Sequence, residues 1–325
     1  MLFTEQVSRK PNKYPWTQDF IDAIWQSHWT PNEFNFRSDY AQFHGELTAE
    51  QRGVIVRTLS AIGQIEIAVK KFWANLGDNL PHPGLTDLGF VMAQNEVIHN
   101  QAYEKLLSVL GLQSVFEDNL KEPVVEGRVK YLRKYLNRTY EDDRKQYIYA
   151  IALFTLFVEN VSLFSQFLIV MHFNRFHNVL KDTAQQVEYT RNEEQLHAQV
   201  GIKIINTLRE EYPDLFDAEL EERVRSEAFE AFLAEGQVIE WILGDYAHAE
   251  PGISPEVLKN YIADRINTSL DAIGFAPVLP VSKEMLTLTR WMDEESLGTT
   301  TTDFFQKRPV EYGKGTQSFD AGDLF

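Results

Sequence analysis

The chain has 325 residues, 44% hydrophobic and 24% charged, enough to bury one large core. A formal net charge of −17 argues against a nucleic-acid-binding surface. The absence of cysteine excludes disulfides and thiol chemistry. The opening MLFTEQVSRK leads into PNKYPW rather than an apolar stretch, so no signal pattern is read and a cytoplasmic compartment is expected.

Residues 1–45 read as an N-terminal segment rich in aromatics and prolines, with a short helix around Asp19–Ser27. Residues 46–290 read as one helical domain. Helices are predicted over 48–76, 84–110, 124–137, 142–172, 175–209, 216–245, 254–273 and 281–289. The breaks fall at Gly77-Asp78, Pro81 to Gly84, Gly111, Pro123, Pro213, Pro251-Gly252 and Pro277 to Pro280, where glycine and proline interrupt the helical pattern. No long alternation of Val, Ile and Thr predicts a strand. The run 148–173 is long and apolar enough to suggest a membrane span. Glu159, Asn160, Ser162, Ser165 and Gln166 within it predict a buried central helix instead. Residues 291–325 lack helical period and end in SFDAGDLF. A flexible tail is expected there, with Phe319, Leu324 and Phe325 as apolar anchors for docking.

Two copies of Glu-x-x-His stand far apart in the helical domain: Glu96 with His99, and Glu194 with His197. Residues three apart on a helix share a face, so each pair can aim two ligands at one metal. One such pair is commonplace on a solvated surface. Here each is preceded by a glutamate in an apolar helix, Glu66 in GQIEIAVKKFW and Glu159 in LFTLFVENVSLF. A lone carboxylate is costly in such surroundings, and residues 151–171 contain no Lys or Arg to pair with it. Four carboxylates and two imidazoles from four helices form the donor set of a dinuclear centre in a helical bundle. That set suits manganese or iron better than four-coordinate zinc. The fold class is therefore all-α, a ferritin-like bundle with the metal site in its core.

The ligand order, Tyr103 four residues after His99, Trp29 in HWTPNEFNF and the acidic C-terminal tail together resemble the small, radical-generating subunit of class I ribonucleotide reductases. The resemblance runs from Trp29 to Phe325, and the tail narrows it beyond ferritin-like oxidases in general. It implies metal ligation by Glu66, Glu96, His99, Glu159, Glu194 and His197, with two metal ions per subunit. Tyr103 matches the family's radical-bearing tyrosine, and Trp29 its relay tryptophan. Tyr312 is a candidate tail tyrosine for the same relay. Glu193 stands where the family usually has an aspartate that bonds the ligand histidine and the tryptophan, and Asn192 replaces a common arginine. The implied assembly is a homodimer whose tail docks the large (alpha) subunit, where ribonucleoside diphosphates are reduced. No nucleic acid or membrane partner is implied. A stand-alone ferritin-like dinuclear oxidase or hydroxylase is the alternative.

Glu66 stands where most members have aspartate. Combined with Tyr103, it resembles the dimanganese, superoxide-activated group, with di-iron or manganese/iron as alternatives. Lys70, one turn after Glu66, adds a cation that can attract superoxide, against the plainer reading that it reaches out to solvent. Leu163 and Phe167 are expected to pack near the metals or Tyr103. Thr190, one turn before Glu194, is expected to hydrogen-bond Tyr103.

Overall fold

The computed structural model describes residues 1–65 and 69–292. The expected ligand Glu66, the expected relay residue Tyr312 and the 293–325 part of the tail lie outside the described residues.

Among the described residues the secondary structure is helical throughout. Helix α1 spans Trp16–Gln26, α2 Arg37–Gly45, α3 Ala49–Ile65, α4 Val69–Ala74 and α5 Leu76–Asn79. Helix α6, Pro83–Leu110, shows how the sequence sets its limits. The His82 ring accepts from Gly84 N–H at 3.2 Å, Pro83 takes the first position, and Gly111 closes the end at φ 72°. Each of these residues suits its place: Pro lacks an N–H that the first turn cannot bond, and Gly enters the left-handed region without a Cβ clash. Then follow α7 Gln113–Asn119, α8 Pro123–Leu132 and α9 Asp143–Leu153. A π-helical segment occupies Phe154–Glu159, and after a turn α10 runs over Phe164–His177. Helices α11 Lys181–Glu211, α12 Ala218–Leu243, α13 Pro255–Ala272 and α14 Lys283–Leu286 complete the chain as described.

Four elements close a ring. Helix α3 packs against α6 and α10, and α11 packs against the same two. The interior of that ring carries the buried carboxylates and imidazoles. Helices α8, α12 and α13 add a second tier, with α12 against α3, α8 and α13. The N-terminal segment joins the core: Leu2 and Phe36 are fully buried, and α1 lies against α6 and α11.

The apolar span Asp143–His177 has a mean hydropathy of 1.7 in its most apolar window, and 94% of that window is buried inside the protein. Its apolar character is consumed by packing on all sides, as for a core helix. It is not one helix. Ser162 N–H donates to Phe157 C=O at 3.0 Å, an i to i+5 bond, and the chain turns through 160–163 before α10 starts. Such π segments insert a residue into the helical register and favour functional sites. The predicted helix 142–172 is corrected accordingly, and Leu163 and Phe167 are not the simple one-turn and two-turn successors of Glu159.

The break between the two central helices lies at 178–180, not at 173–174. Asn178 and Leu180 both sit at φ 57°, which costs a β-carbon-bearing residue roughly 1–2 kcal/mol. The strain is held by α2, a helix absent from the predicted set. Buried Asp39 accepts from Asp182 N–H at 3.2 Å and from Thr183 N–H at 2.7 Å, while Leu180 N–H donates to Gln42 Oε1 at 2.9 Å. A carboxylate from a distant helix thus caps α11, satisfying its first donors and its dipole.

Candidate metal centre

Helix α6 brings Glu96 and His99 into the ring, α11 brings Glu194 and His197, and the π segment brings Glu159. All five are at most 2% exposed. Ligand atoms of Glu96, Glu159, Glu194 and His197 all lie within 4.8 Å of one another. His197 Nδ1 stands 3.0 Å from Glu96 Oε1, 3.5 Å from Glu159 Oε2 and 3.6 Å from Glu194 Oε2. His99 Nδ1 stands 3.1 Å from Glu194 Oε1 and 3.5 Å from Glu96 Oε2.

These approaches lack hydrogen-bond geometry for several atoms. Both oxygens of Glu96, Oε2 of Glu159 and both ring nitrogens of His197 are buried without a hydrogen-bond partner. Each such orphan costs of the order of 1–3 kcal/mol, more when charged. Of these, His197 Nδ1 lies 3.0 Å from Glu96 Oε1 and 3.5 Å from Glu159 Oε2, a convergence of orphaned donors that cations would satisfy, so the donor set fits the dinuclear site expected from sequence.

Electrostatics point the same way. Burial, then the neighbouring Glu194 and Glu96 charges, push the Glu159 carboxyl well above its ordinary range. Burial disfavours a charged His197, yet its approaches to Glu159, Glu194 and Glu96 outweigh that and hold the imidazole well above its ordinary value. Burial opposes ionisation of Glu194 too, but Glu159, His197 and His99 together draw it below the ordinary range. Without metal, protons collect where cations belong.

The groups around the ligands were partly legible. Glu193 Oε2 accepts from Trp29 Nε1 at 2.8 Å and lies 2.7 Å from His99 Nε2. The longer acid therefore reaches both partners expected of the family's aspartate. The indole stacks on the His99 ring at 6.1 Å and 23°. Tyr103, 1% exposed, donates to Thr190 Oγ1 over 3.4 Å, and the Thr190 hydroxyl donates in turn to Gln186 C=O at 3.1 Å. Lys70 is half-buried, and its ammonium donates to Asn100 Oδ1 at 3.4 Å, beside His99 in sequence. Leu163 and Phe167 are buried, Phe167 against the Phe164 ring at 5.5 Å.

Trp73 was missed. Its Nε1 donates to Glu159 Oε1 at 2.7 Å, and its ring meets His197 at 6.1 Å. Its signal was a position seven residues after Glu66, two helical turns along an apolar face. Gly201, one turn after His197, was also missed: a Cβ there would lie 2.1 Å from Thr155 Oγ1 in the π segment. Only glycine lets α11 approach this closely.

A family model described as ribonucleotide reductase, small chain, matches residues 6–284. The chain is 24% identical over 336 residues to the probable ribonucleoside-diphosphate reductase small subunit 048L of Invertebrate iridescent virus 3, covering 98% of this chain and 87% of that protein. Its fold is similar to a putative class I ribonucleotide reductase from Bacillus halodurans, with a TM-score of 0.76, 22% identity, and coverage of 86% of this chain and 99% of that one. An R2-like ligand-binding oxidase with a reconstituted Mn/Fe cofactor shares the fold at a TM-score of 0.68 and 16% identity, covering 85% and 100%.

Proposed function

The chain belongs to the ribonucleotide reductase small-chain family, and from that premise we propose that it is the radical-generating subunit of a ribonucleoside-diphosphate reductase. The observation that carries the reading is the hydrogen-bonded run from His99 through Glu193 to Trp29, at 2.7 and 2.8 Å. A metal store has no use for a buried indole wired to a ligand imidazole.

Glu66, Glu96, His99, Glu159, Glu194 and His197 would hold two redox-active ions. Such a pair, when bound, supplies a one-electron oxidising equivalent. This chain's own residues do the rest. Glu193 Oε2 orients the His99 ring and offers the Trp29 N–H a proton acceptor at 2.8 Å, so the indole can share its proton when it loses an electron. Phe154, buried with its ring 5.4 Å from that of Trp73, helps exclude water from the site. Thr190 Oγ1 accepts a hydrogen bond from the Tyr103 hydroxyl, which favours the reduced phenol. Residues 291–325 act as the docking tail for the large subunit, with Tyr312 in the relay. The protein works in the cytoplasm as a homodimer.

Dimanganese activated by superoxide is the favoured centre, on the pairing of Glu66 with Tyr103 and the ammonium of Lys70 beside Asn100. Metal-free protein reloaded with Mn(II) or Fe(II), each exposed to oxygen or to superoxide, decides this by electron paramagnetic resonance. A coupled manganese signal requiring superoxide supports the reading. A sharp organic-radical signal after iron and oxygen, lost in Tyr103→Phe, overturns it. Deleting residues 310–325 separates the subunit from the alternative oxidase. The subunit loses reduction with the large subunit while keeping its metal, and an oxidase is unaffected. The cavity beside Trp29, lined by Ser27, His28, Glu33, Tyr189, Asn192 and Glu193, is about 30 Å³, room for water rather than for an organic substrate.

A further inference from the structure

We propose that His172, His177 and Glu250 form a second, mononuclear site for a borderline divalent cation of the zinc class, apart from the central pair. His172 and His177 lie at the end of α10, and Glu250 lies in the connection from α12 to α13. The helical stretch from Phe164 to His172 alone is about 12 Å long, and Glu159 lies beyond it. The two sites share no ligand.

The two oxygens of Glu250 each face a different imidazole. His172 Nε2 is 2.5 Å from Oε2, and His177 Nε2 is 2.8 Å from Oε1. One atom from each residue lies within 4.8 Å of the others, the convergence that a single ion needs. Two imidazoles and one carboxylate are a common donor set for zinc and suit nickel and cobalt too. The central site is richer in oxygen and favours manganese or iron. Tyr246 donates its hydroxyl to Glu250 Oε1, the kind of outer partner that orients a ligating carboxylate. The His172 side chain is 6% exposed, Glu250 19% and His177 32%. One side is therefore anchored in the protein and the other open to an entering ion and its remaining water ligands.

A bound ion would clasp the end of α10 to the segment that carries α12 into α13. The clasp does not depend on the reading of the central site. Cobalt(II) is the probe, because its visible absorption reports nitrogen-rich, low-coordinate binding. Metal-free protein and its His177→Ala and Glu250→Gln variants are equilibrated with Co(II), and bound cobalt is counted per chain. The wild type should hold one more Co(II) than either variant. Affinity for that ion should fall by more than the roughly 10–100-fold typical of losing an outer partner. Zinc(II) should raise the thermal midpoint of the wild type more than that of His177→Ala, while manganese uptake at the central site stays equal. Equal cobalt content and equal spectra in the three proteins would overturn the proposal and leave a hydrogen-bonded clasp. His177 is exposed enough that its replacement should leave the fold intact. Circular dichroism checks this, and Glu250→Gln, nearly isosteric, provides an independent test.

Discussion

Gly201→Ala isolates how closely the metal-bearing segment is held to α11. The new Cβ would meet Thr155 Oγ1 at 2.1 Å, Cγ2 at 2.3 Å and Cβ at 2.7 Å. Rotating Thr155 about χ1 moves the first two atoms but not the third, so the side chain cannot simply swing away. Ordinary contact begins at 3.4 Å, so the helices must part by about 0.7 Å on the Cβ contact alone. Overpacking of this kind costs about 1–3 kcal/mol, and replacing a helical glycine by alanine returns about 0.5–1 kcal/mol. The net loss is then roughly 0–2.5 kcal/mol. In a chain of 325 residues each kcal/mol moves the thermal midpoint by only about 1.5 °C, so melting is a poor readout. Metal affinity is a better one. Thr155 sits four residues before Glu159, and Gly201 four residues after His197, so parting them separates two ligand carriers. Mn(II) affinity, measured by titration of metal-free protein, should fall by about 10–100-fold, the range for disturbed ligand support. Adding Thr155→Ala should recover part of it, since the 2.7 Å contact persists. A Gly201→Ala protein that is more stable than wild type and binds Mn(II) equally well would refute the argument.

Glu193→Leu keeps much of the bulk but removes the one oxygen that accepts from Trp29 Nε1 and lies 2.7 Å from His99 Nε2. Mn(II) affinity should fall by about 10–100-fold, with changed Trp29 fluorescence, and an unaltered titration would count against the bridging role. Trp73→Phe keeps an aromatic ring and removes the donor to Glu159, whose carboxyl is held in its protonated form without metal, so urea denaturation of metal-free protein should show a loss of about 0.5–1.5 kcal/mol for that bond; no loss would mean that the 2.7 Å contact adds nothing. Arg128, buried against Glu235 at 2.8 Å, Ala61 C=O at 2.7 Å, Gln166 Oε1 at 2.9 Å and Ser162 C=O, holds the turn after the π segment. Arg128→Met should cost about 3–5 kcal/mol by stranding Glu235, whereas Arg128→Met with Glu235→Leu should recover most of it; single and double variants of equal stability would contradict this. The pH dependence has a definite sign. Glu159 and His197 are raised above their ordinary 4.5 and 6.5, so the folded metal-free protein holds more protons than the unfolded chain. The Glu159 contribution is full below about 4.5 and the His197 contribution below about 6.5, and each drains as pH climbs from there towards the raised value of the folded state. Glu194 is depressed and contributes in the opposite sense, losing its share as pH falls below 4.5. Metal-free protein should therefore lose stability above neutrality while metal-loaded protein does not, and Mn(II) binding should release protons, as calorimetry in buffers of different ionisation heat would show. Proton-neutral binding would remove this account.

What sequence could reveal follows from how local each cause is. Glu96 with His99 and Glu194 with His197 were legible because one helical turn fixes their common face. The bounds of α6 and α13 were legible to within one residue because Pro83, Gly111, Ser254 and Pro255 mark them chemically. Helix α2 was not, because RSDYAQFHG carries a weak apolar pattern and is held by what Asp39 does across 143 and 144 residues of chain. The π segment was hidden for a related reason. Over 151–158 every residue is buried, so no polar face reports where the register slips, and the slip is stabilised from outside by Arg128 on the Ser162 carbonyl and by the gap that Gly201 leaves for Thr155. Local periodicity could thus place Glu159 in the core but not state which way it faces. That direction is set by Trp73, whose indole N–H meets Glu159 Oε1, and by the ring of helices closing round it. The ligand types are written in local sequence, whereas their convergence is a property of long-range contacts that no single segment encodes.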